Sequence, residues 1–445
     1  MQNQIVYQRL ILKHNLSATQ ILSALADLSH VVYLNNDAQP TIGLFADEYF
    51  THENNETFHY IETDIDTYYV LPIPSLPKFC FQPNHAEPQS GFNGGLLGFI
   101  GYDFSASTQV KTAHKKQPAL FIGRFSSYLK HSTEGWTFIS HHSNAKQRYQ
   151  VLLDLLNKDT YTSTFELYQP LQARWSFEQY QQAFHQVQDY IKAGDCYQIN
   201  LTQEFTTQAT GLLLDTAFQL WDLTDAPYAG YLRVGKFELL SCSPELFIDF
   251  EAERKIRTKP IKGTMPRYTD PILDTESKNT LKTSKKDMAE NVMIVDLLRN
   301  DLSVYAEIGT VKTPKLFNIE SFNQVHHMVS EIEARLKPDV NPFDVLISAL
   351  PGGSITGAPK IRAMQIIEEL EGAPRGAYCG SMGYFNHDGT GSWNILIRSI
   401  QKYQDHVSVW AGGGITIASN CDAEYQECFD KVEAMLNLLN TWHQP

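Results

Sequence analysis

A lysine, two pairs of carboxylates and several glycine-rich segments carry the chemical content of this sequence. Lys262 stands in Pro260-Ile261-Lys262-Gly263-Thr264-Met265-Pro266-Arg267, between a proline-fixed approach and a glycine. The segment reads as a turn after a strand-like run, and a lysine in such a turn is ordinarily a solvated surface group. Asp287 and Glu290 are spaced by three, as are Glu424 and Glu427, and on a helix that spacing puts each pair on one face. Two such pairs facing each other make an oxygen-rich site for magnesium, a hard cation usually bound by one or two carboxylates and waters. The same spacing equally fits a Glu427–Lys431 pair at i,i+4 and an Asp287 that only caps its helix.

Other segments offer anion recognition. Arg398 follows the strand-like run 393–397, and Ala411-Gly412-Gly413-Gly414-Ile415 reads as a turn. An arginine presents a planar fork to a carboxylate, and glycines let backbone N–H groups come close. Residues 352–360, Gly-Gly-Ser-Ile-Thr-Gly-Ala-Pro-Lys, open a helix with Thr356 as cap and Pro359 in the first turn. They lack the Gly-Lys-[Ser/Thr] ending of a Walker loop. The glycines of 94–102 sit at tempting intervals, but the expectation is that no helix follows, so close strand packing is favoured over a dinucleotide site.

These residues need elements to position them. Ser17–Leu28 and Ala145–Leu156 are helical in period, and a capping-box pattern starts a further helix at Ser176, closed by Gly194. Residues 196–205 alternate Tyr197, Ile199 and Leu201 with Gln198, Asn200 and Thr202. That strand either presents an amide to a cleft or simply has a solvated polar face. The strand region 237–250 is broken at Pro244, so Glu245 lies beside an edge, bulge or strand end. The helix 284–302 is apolar nearly all round from Val292 onward, which reads as burial and draws Glu290 into the interior, where it needs a partner. A last helix runs from about Ser419 to Leu439.

Composition sets the outer limits. The chain has 445 residues, 42% of them hydrophobic, enough for two domains or one large double-layered one. A formal charge of −14 and the absence of a basic tract exclude nucleic-acid binding as the leading reading. Six scattered cysteines without a Cys-x-x-Cys pair suggest neither a zinc module nor a disulfide framework. The N-terminus lacks a signal-peptide pattern and no run reaches membrane-spanning length, so the expected location is the cytoplasm, away from membranes. A polar stretch over 157–172 suggests a boundary between an N-terminal region, 1–165, and a catalytic region, 175–440.

Taken together and in order, the motifs resemble those of the chorismate-utilising enzymes. They are Gly-Asp-Cys-Tyr-Gln-Ile-Asn-Leu (194–201), Ser-Pro-Glu (243–245), Ala-Glu-Asn-Val-Met-Ile-Val-Asp-Leu-Leu-Arg-Asn-Asp (289–301), Val-His-His-Met-Val-Ser (325–330), Pro-Gly-Gly-Ser-Ile-Thr-Gly-Ala-Pro-Lys (351–360), Ala-Gly-Gly-Gly-Ile (411–415) and Glu-Tyr-Gln-Glu (424–427). The resemblance covers about 175–439 and points to the branch that aminates chorismate toward 4-aminobenzoate. Anthranilate synthases typically carry alanine at the place of Lys262. The water-adding isochorismate and salicylate synthases have a lysine base where this chain has Gln198.

The resemblance implies an α/β fold of two large antiparallel sheets in a sandwich with helices outside, as in anthranilate synthase component I, with the N-terminal region contributing to one layer. It implies that Lys262 attacks C2 of the ring as the C4 hydroxyl leaves, and that ammonia then adds at C4 and displaces the lysine. Glu245 would be the general acid and base, and His327 would contact the departing hydroxyl. Magnesium on Glu290 and Glu427, with Asp287 and Glu424 beside them, would hold the ring carboxylate. Tyr378, Arg398, Gly413 and Gly414 match positions that bind the enolpyruvyl carboxylate, Ser354 matches a residue close to the ring, and Gln198 would be a further substrate-binding residue. The sequence contains no Gly-x-Cys-x-Gly glutaminase elbow, since Ala377 and Ser381 stand where Cys379 would need glycines. A separate glutamine amidotransferase subunit is therefore the expected source of ammonia. With no lyase domain after Pro445, the expected product is 4-amino-4-deoxychorismate. The alternatives are amination at C2, as in the anthranilate synthases, and a silent scaffold subunit, against which Lys262, Glu245, Arg398 and both acidic pairs argue.

Overall fold

One strand near the N-terminus shows how the layers are ordered. In His30–Asn36, Val31 and Tyr33 pack with the helix residues Ile21 and Leu22, whereas Val32 and Leu34 pack with Leu97, Phe99 and Phe121 of a second sheet. Successive side chains of a strand point to opposite faces, so this strand separates a helix-covered face from a sheet-covered one. The computed structural model describes residues 8–11, 16–36, 39–82, 90–158, 164–321 and 325–444. Expectations touching residues 2–4, 159–163 and Pro445 lie outside them. The described residues form the expected α/β sandwich, two large antiparallel sheets with helices on the outer faces.

The first sheet includes, side by side, His30–Asn36, Tyr228–Val234, Phe237–Ser243, Ser399–Tyr403, His406–Ile415 and Gln198–Thr210. The second runs from an edge at Ile261–Pro266 through Val325–Arg335, Lys255–Thr258 and Leu246–Phe250 to Gly391–Asn394, Ser381–Asn386 and Gly95–Ile100. Strands before residue 165 enter both sheets: Gln39–Leu44 and Ser127–Ser132 the first, Glu48–Glu53 and Leu120–Phe125 the second. The expectation that this region serves one layer is corrected accordingly. The cause is visible in the core, where its alternating apolar residues fill the space between the sheets.

Local signals place the elements that matter for the site. Ser176 makes both bonds of a capping box at the start of Phe177–Ala193, and Gly194 closes that helix with φ 82°. After Phe237–Ser243 the chain leaves the first sheet at Pro244 and joins the second at Leu246–Phe250. Glu245 sits at that crossing. The helix Lys285–Ser303 starts at Ser284, whose hydroxyl accepts from the Asp287 N–H. It is amphipathic rather than apolar all round: Ile294, Val295 and Leu298 are buried, while Val292 is 39% exposed.

Three further expectations are corrected. A helix does follow the glycines of 94–102, the six-residue Tyr102–Ser107. The glycines nonetheless serve close strand packing, since a Cβ on Gly98 would stand 1.9 Å from the Phe121 carbonyl oxygen. Thr356 does not cap the following helix: its hydroxyl turns back to donate to the Gly352 carbonyl, and Pro359 is the N-cap of Lys360–Glu371. The last helix is two, Cys421–Asp430 and Glu433–Asn440, because buried Val432 takes non-helical angles (φ −129°, ψ 0°) between them. Among the described residues, no helix is long and apolar enough to cross a membrane.

Candidate active site

Lys262 lies on a bulged edge strand, not on a turn. Ile261–Pro266 pairs with Val325–Arg335 in the register Ile261↔Val329 and Thr264↔His327, leaving one extra residue on the lysine strand. Gly263, at φ 79°, absorbs that extra residue in the left-handed region. A Cβ there would stand 2.8 Å from the Asp287 carboxyl carbon, so the first acidic pair packs directly against the bulge. The bulge re-aims Lys262 out of the ladder, which is where it meets Glu245.

The two side chains share one field. The Ile261 N–H faces the Glu245 carboxylate, and burial pushes that carboxyl up to about 7 against the opposing pull of Lys262 and Lys431. Glu245 is only 7% exposed. Lys262 is half-buried, and its ammonium is lowered from the ordinary lysine value first by desolvation and then by the charge of Lys431. Glu290, Glu245 and Glu427 act in the opposite direction. Lysine, carboxyl and both acidic helices are thereby in electrostatic contact. Burial favours the neutral form of each catalytic candidate.

The acidic pairs converge through Gly413. A Cβ on that residue would stand 2.8 Å from Glu424 Oε2 and 3.3 Å from Glu427 Oε1, so the missing side chain leaves room for both carboxylates. Burial raises Glu290 and Glu424, and in each case an acidic neighbour, Asp287 for Glu290 and Glu427 for both, adds to the rise. For Glu427 burial also pushes upward, but Lys431, 2.6 Å away, and more distant lysines bring it below the usual value. The i,i+4 pair expected as the plain reading of Glu427 therefore exists alongside the acidic cluster. Oxygen donors on two helices suit a hydrated hard cation that needs only one or two protein carboxylates. No three of these four acids bring ligand atoms within 4.8 Å of one another among the described residues. The group that does, Asp47, Glu62 and His142, has both its carboxylates ion-paired to Arg148.

A cleft of about 190 Å³ opens beside this cluster, with Pro244, Val325, His327, Arg398 and Lys431 in its wall. His327 Nδ1 and Thr264 Oγ1 share a hydrogen bond of 2.8 Å, and burial together with the Arg398 charge lowers the imidazole to about 4. It is a neutral ring at physiological pH. Arg398, at φ 48°, is lowered by burial and has no carboxylate partner among the described residues. A desolvated guanidinium without a counter-charge is costly, and a ligand carboxylate would supply one.

Gln198 is 1% exposed, and among the described residues neither atom of its amide has a hydrogen-bond partner. With Asn200 and Thr202 also buried, the solvated-face reading of this strand is overturned. The glycines 412–414 belong to the strand His406–Ile415, in the register Leu201↔Gly413 and Asn200↔Gly414, rather than to a turn. They are small because neighbours occupy their side-chain space: Gln198 Nε2 would be 2.3 Å from a Cβ on Gly414. Ser354 is buried in the turn Gly353–Ile355, and Tyr378 stacks on Trp410 with ring centroids 5.8 Å apart. Neither lines the cleft. Lys431, read in the sequence only as the partner of Glu427, stands in the centre of the charge network and also donates to the Gly412 carbonyl at 2.8 Å. No local signal in the sequence marks that second role, which depends on the helix meeting the strand at Gly412.

Comparison with known proteins agrees with this geometry. Residues 30–437 match the chorismate binding enzyme family. Aminodeoxychorismate synthase component 1 of Escherichia coli is 40% identical over 371 residues, 82% of this chain and 81% of that protein. The protein of that name from Salmonella typhimurium is 40% identical over 391 residues, 86% of this chain and 83% of its own. The crystal structure of anthranilate synthase component I from Streptococcus pneumoniae superposes with a TM-score of 0.76 at 25% identity, covering 96% of this chain and 99% of that one. A match that spans both sheets and every segment of the site leaves one conclusion, that this chain belongs to the chorismate binding enzymes.

Proposed function

We propose that the protein aminates chorismate at C4 with ammonia, giving 4-amino-4-deoxychorismate on the route to 4-aminobenzoate and folate. Lys262 carries this reading. A lysine attacks only as the free amine, and burial and Lys431 both favour that form. Its amine adds at C2 while the C4 hydroxyl leaves with a proton from Glu245, whose carboxyl stays protonated up to about pH 7. Ammonia then adds at C4, Glu245 accepts a proton, and the C2–N bond breaks to release the lysine. The sum consumes one ammonia and releases one water. Neutral His327 offers a hydrogen bond to the hydroxyl, and Arg398 with Lys431 supplies positive charge for the carboxylates.

Glu290 and Glu427 would hold a magnesium ion, with Asp287 and Glu424 beside them; when bound, it neutralises the ring carboxylate. The naming of the bacterial relatives as component 1 supports a second subunit, and we assign it the role of a glutamine amidotransferase that delivers ammonia in the cytoplasm.

The test is incubation with chorismate, magnesium and ammonium, followed by a separate lyase. We expect 4-aminobenzoate; anthranilate in its place would overturn the proposal in favour of amination at C2. Lys262→Ala should lose activity by more than about a thousandfold. The native enzyme should show a chorismate-derived mass adduct on Lys262, and full activity in the variant would remove the covalent step.

A further inference from the structure

A buried ion pair that takes no part in the proposed chemistry ties together three of the segments expected around the substrate. Glu371 ends the helix Lys360–Glu371 and Arg375 lies just beyond it, 2% and 1% exposed respectively at their side chains. Arg375 Nη2 donates to Glu371 Oε1 at 2.7 Å and Nε donates to Oε2 at 2.8 Å. The remaining contacts reach outward. Nη2 also donates to the Asn200 carbonyl at 2.8 Å, two residues from Gln198, and Nη1 donates to the Ile355 carbonyl at 3.1 Å, next to Ser354. The Tyr378 N–H donates to the Arg375 carbonyl at 3.3 Å, and the guanidinium stands 5.9 Å from the Tyr378 ring. On the acidic side, Glu371 Oε1 accepts from both the N–H (3.1 Å) and the hydroxyl (2.6 Å) of Thr202.

Stability alone does not call for this arrangement, because a buried ion pair can often be replaced by apolar residues without loss. A planar fork whose donors are all engaged does fix the relative placement of every group it touches. Here those groups are the Gln198 strand, the Ser354 turn and the Tyr378 loop, none of which pairs with all the others through backbone alone. We propose that Arg375 and Glu371 are positioning residues that set the mutual spacing of Gln198, Ser354 and Tyr378, and so the affinity for chorismate, without touching it. The inference rests on chorismate being the substrate.

The decisive variant is Arg375→Lys, which keeps the charge beside Glu371 but cannot reach Asn200 and Ile355 together. Chorismate binding is measured by calorimetry and steady-state rates at saturating ammonium, with thermal melting as the check on folding. A purely structural defect lowers the folded fraction, and hence kcat, while leaving KM unchanged. Displaced contacts raise KM and Kd. We expect both to rise at least about tenfold, with kcat per folded enzyme within about threefold. Thr202→Val, which removes only the hydroxyl bond to Glu371, should raise them about threefold and decides the matter if Arg375→Lys does not fold. Values within twofold of the native enzyme in the folded variant would overturn the proposal. If the native enzyme binds chorismate but forms no aminated product, the amination reading fails, while the Kd comparison still decides this one.

Discussion

The proposed mechanism requires Glu245 and Lys262 both to be uncharged at the moment of attack, one to give a proton and the other to offer a lone pair. Burial pushes both that way, but each one's charged form is favoured by the charged form of the other, so they titrate as a coupled pair. The acid form of Glu245 is lost as pH rises through about 7. The profile of kcat/KM for chorismate should therefore carry a falling limb from loss of the Glu245 proton and a rising limb from deprotonation of Lys262. In Glu245→Gln the falling limb should disappear. The rising limb should move to lower pH, because an anion that raises the lysine is gone. The rate should drop by at least about a hundredfold. Initial rates between pH 5.5 and 9 check all three, and a falling limb that persists in the variant would assign it to another group.

At the scale of the element, the strand His406–Ile415 shows how neighbouring glycines divide between fold and function. A Cβ on Gly412 would stand 2.2 Å from the Leu201 carbonyl oxygen, which belongs to backbone and cannot turn away. On Gly413 it would meet the ends of two flexible carboxylates instead. Gly412→Ala should thus lower folding stability by about 1–3 kcal/mol. Gly413→Ala should melt near the native temperature but need about tenfold more magnesium for half-maximal rate, because Glu424 and Glu427 are displaced. Thermal melts and a magnesium titration separate the two, and equal melting losses would refute the division. The same strand shows what the sequence could and could not reveal. The capping box at Ser176 is local, and the helix it starts is where its spacing places it. Glycine is ambiguous, since it marks a turn and a crowded ladder equally well. Only pairing between distant residues, Leu201 with Gly413 or Thr264 with His327, decides which. For that reason the bulge under Lys262 and the strand through Gly413 were both legible as glycine features but not as strands. The candidate residues were legible because their types and order survive without geometry; the second role of Lys431 was not, because it depends on which helix face meets Gly412.

For the molecule as a whole, the sandwich is held by side chains that must stay neutral between the sheets, and His30 is the clearest case. It begins a strand of the first sheet and lies against Tyr49, Phe121 and Phe125 of the second, with no solvent exposure. Its Nε2 accepts from the Ala46 N–H at 3.2 Å, a bond that requires the unprotonated nitrogen. Burial, and then the charge of Arg233, lowers the imidazole from 6.5 to about 3. In the unfolded chain the same ring protonates near 6.5. As pH falls below that value the unfolded state therefore binds the proton first, and the ring's contribution, fully present above 6.5, is lost progressively toward 3. His30→Gln keeps an acceptor for Ala46 and has nothing to protonate. The native protein's stability relative to this variant should decline by about 1.4 kcal/mol per pH unit between pH 6 and 4. Buried carboxyls such as Glu62 and Asp103, raised to about 7 and about 6, act in the opposite direction but are common to both proteins and cancel in the difference. Urea unfolding at pH 7, 6, 5 and 4.5 measures that difference, and parallel stability profiles for the two proteins would show that His30 is not held neutral by the sandwich.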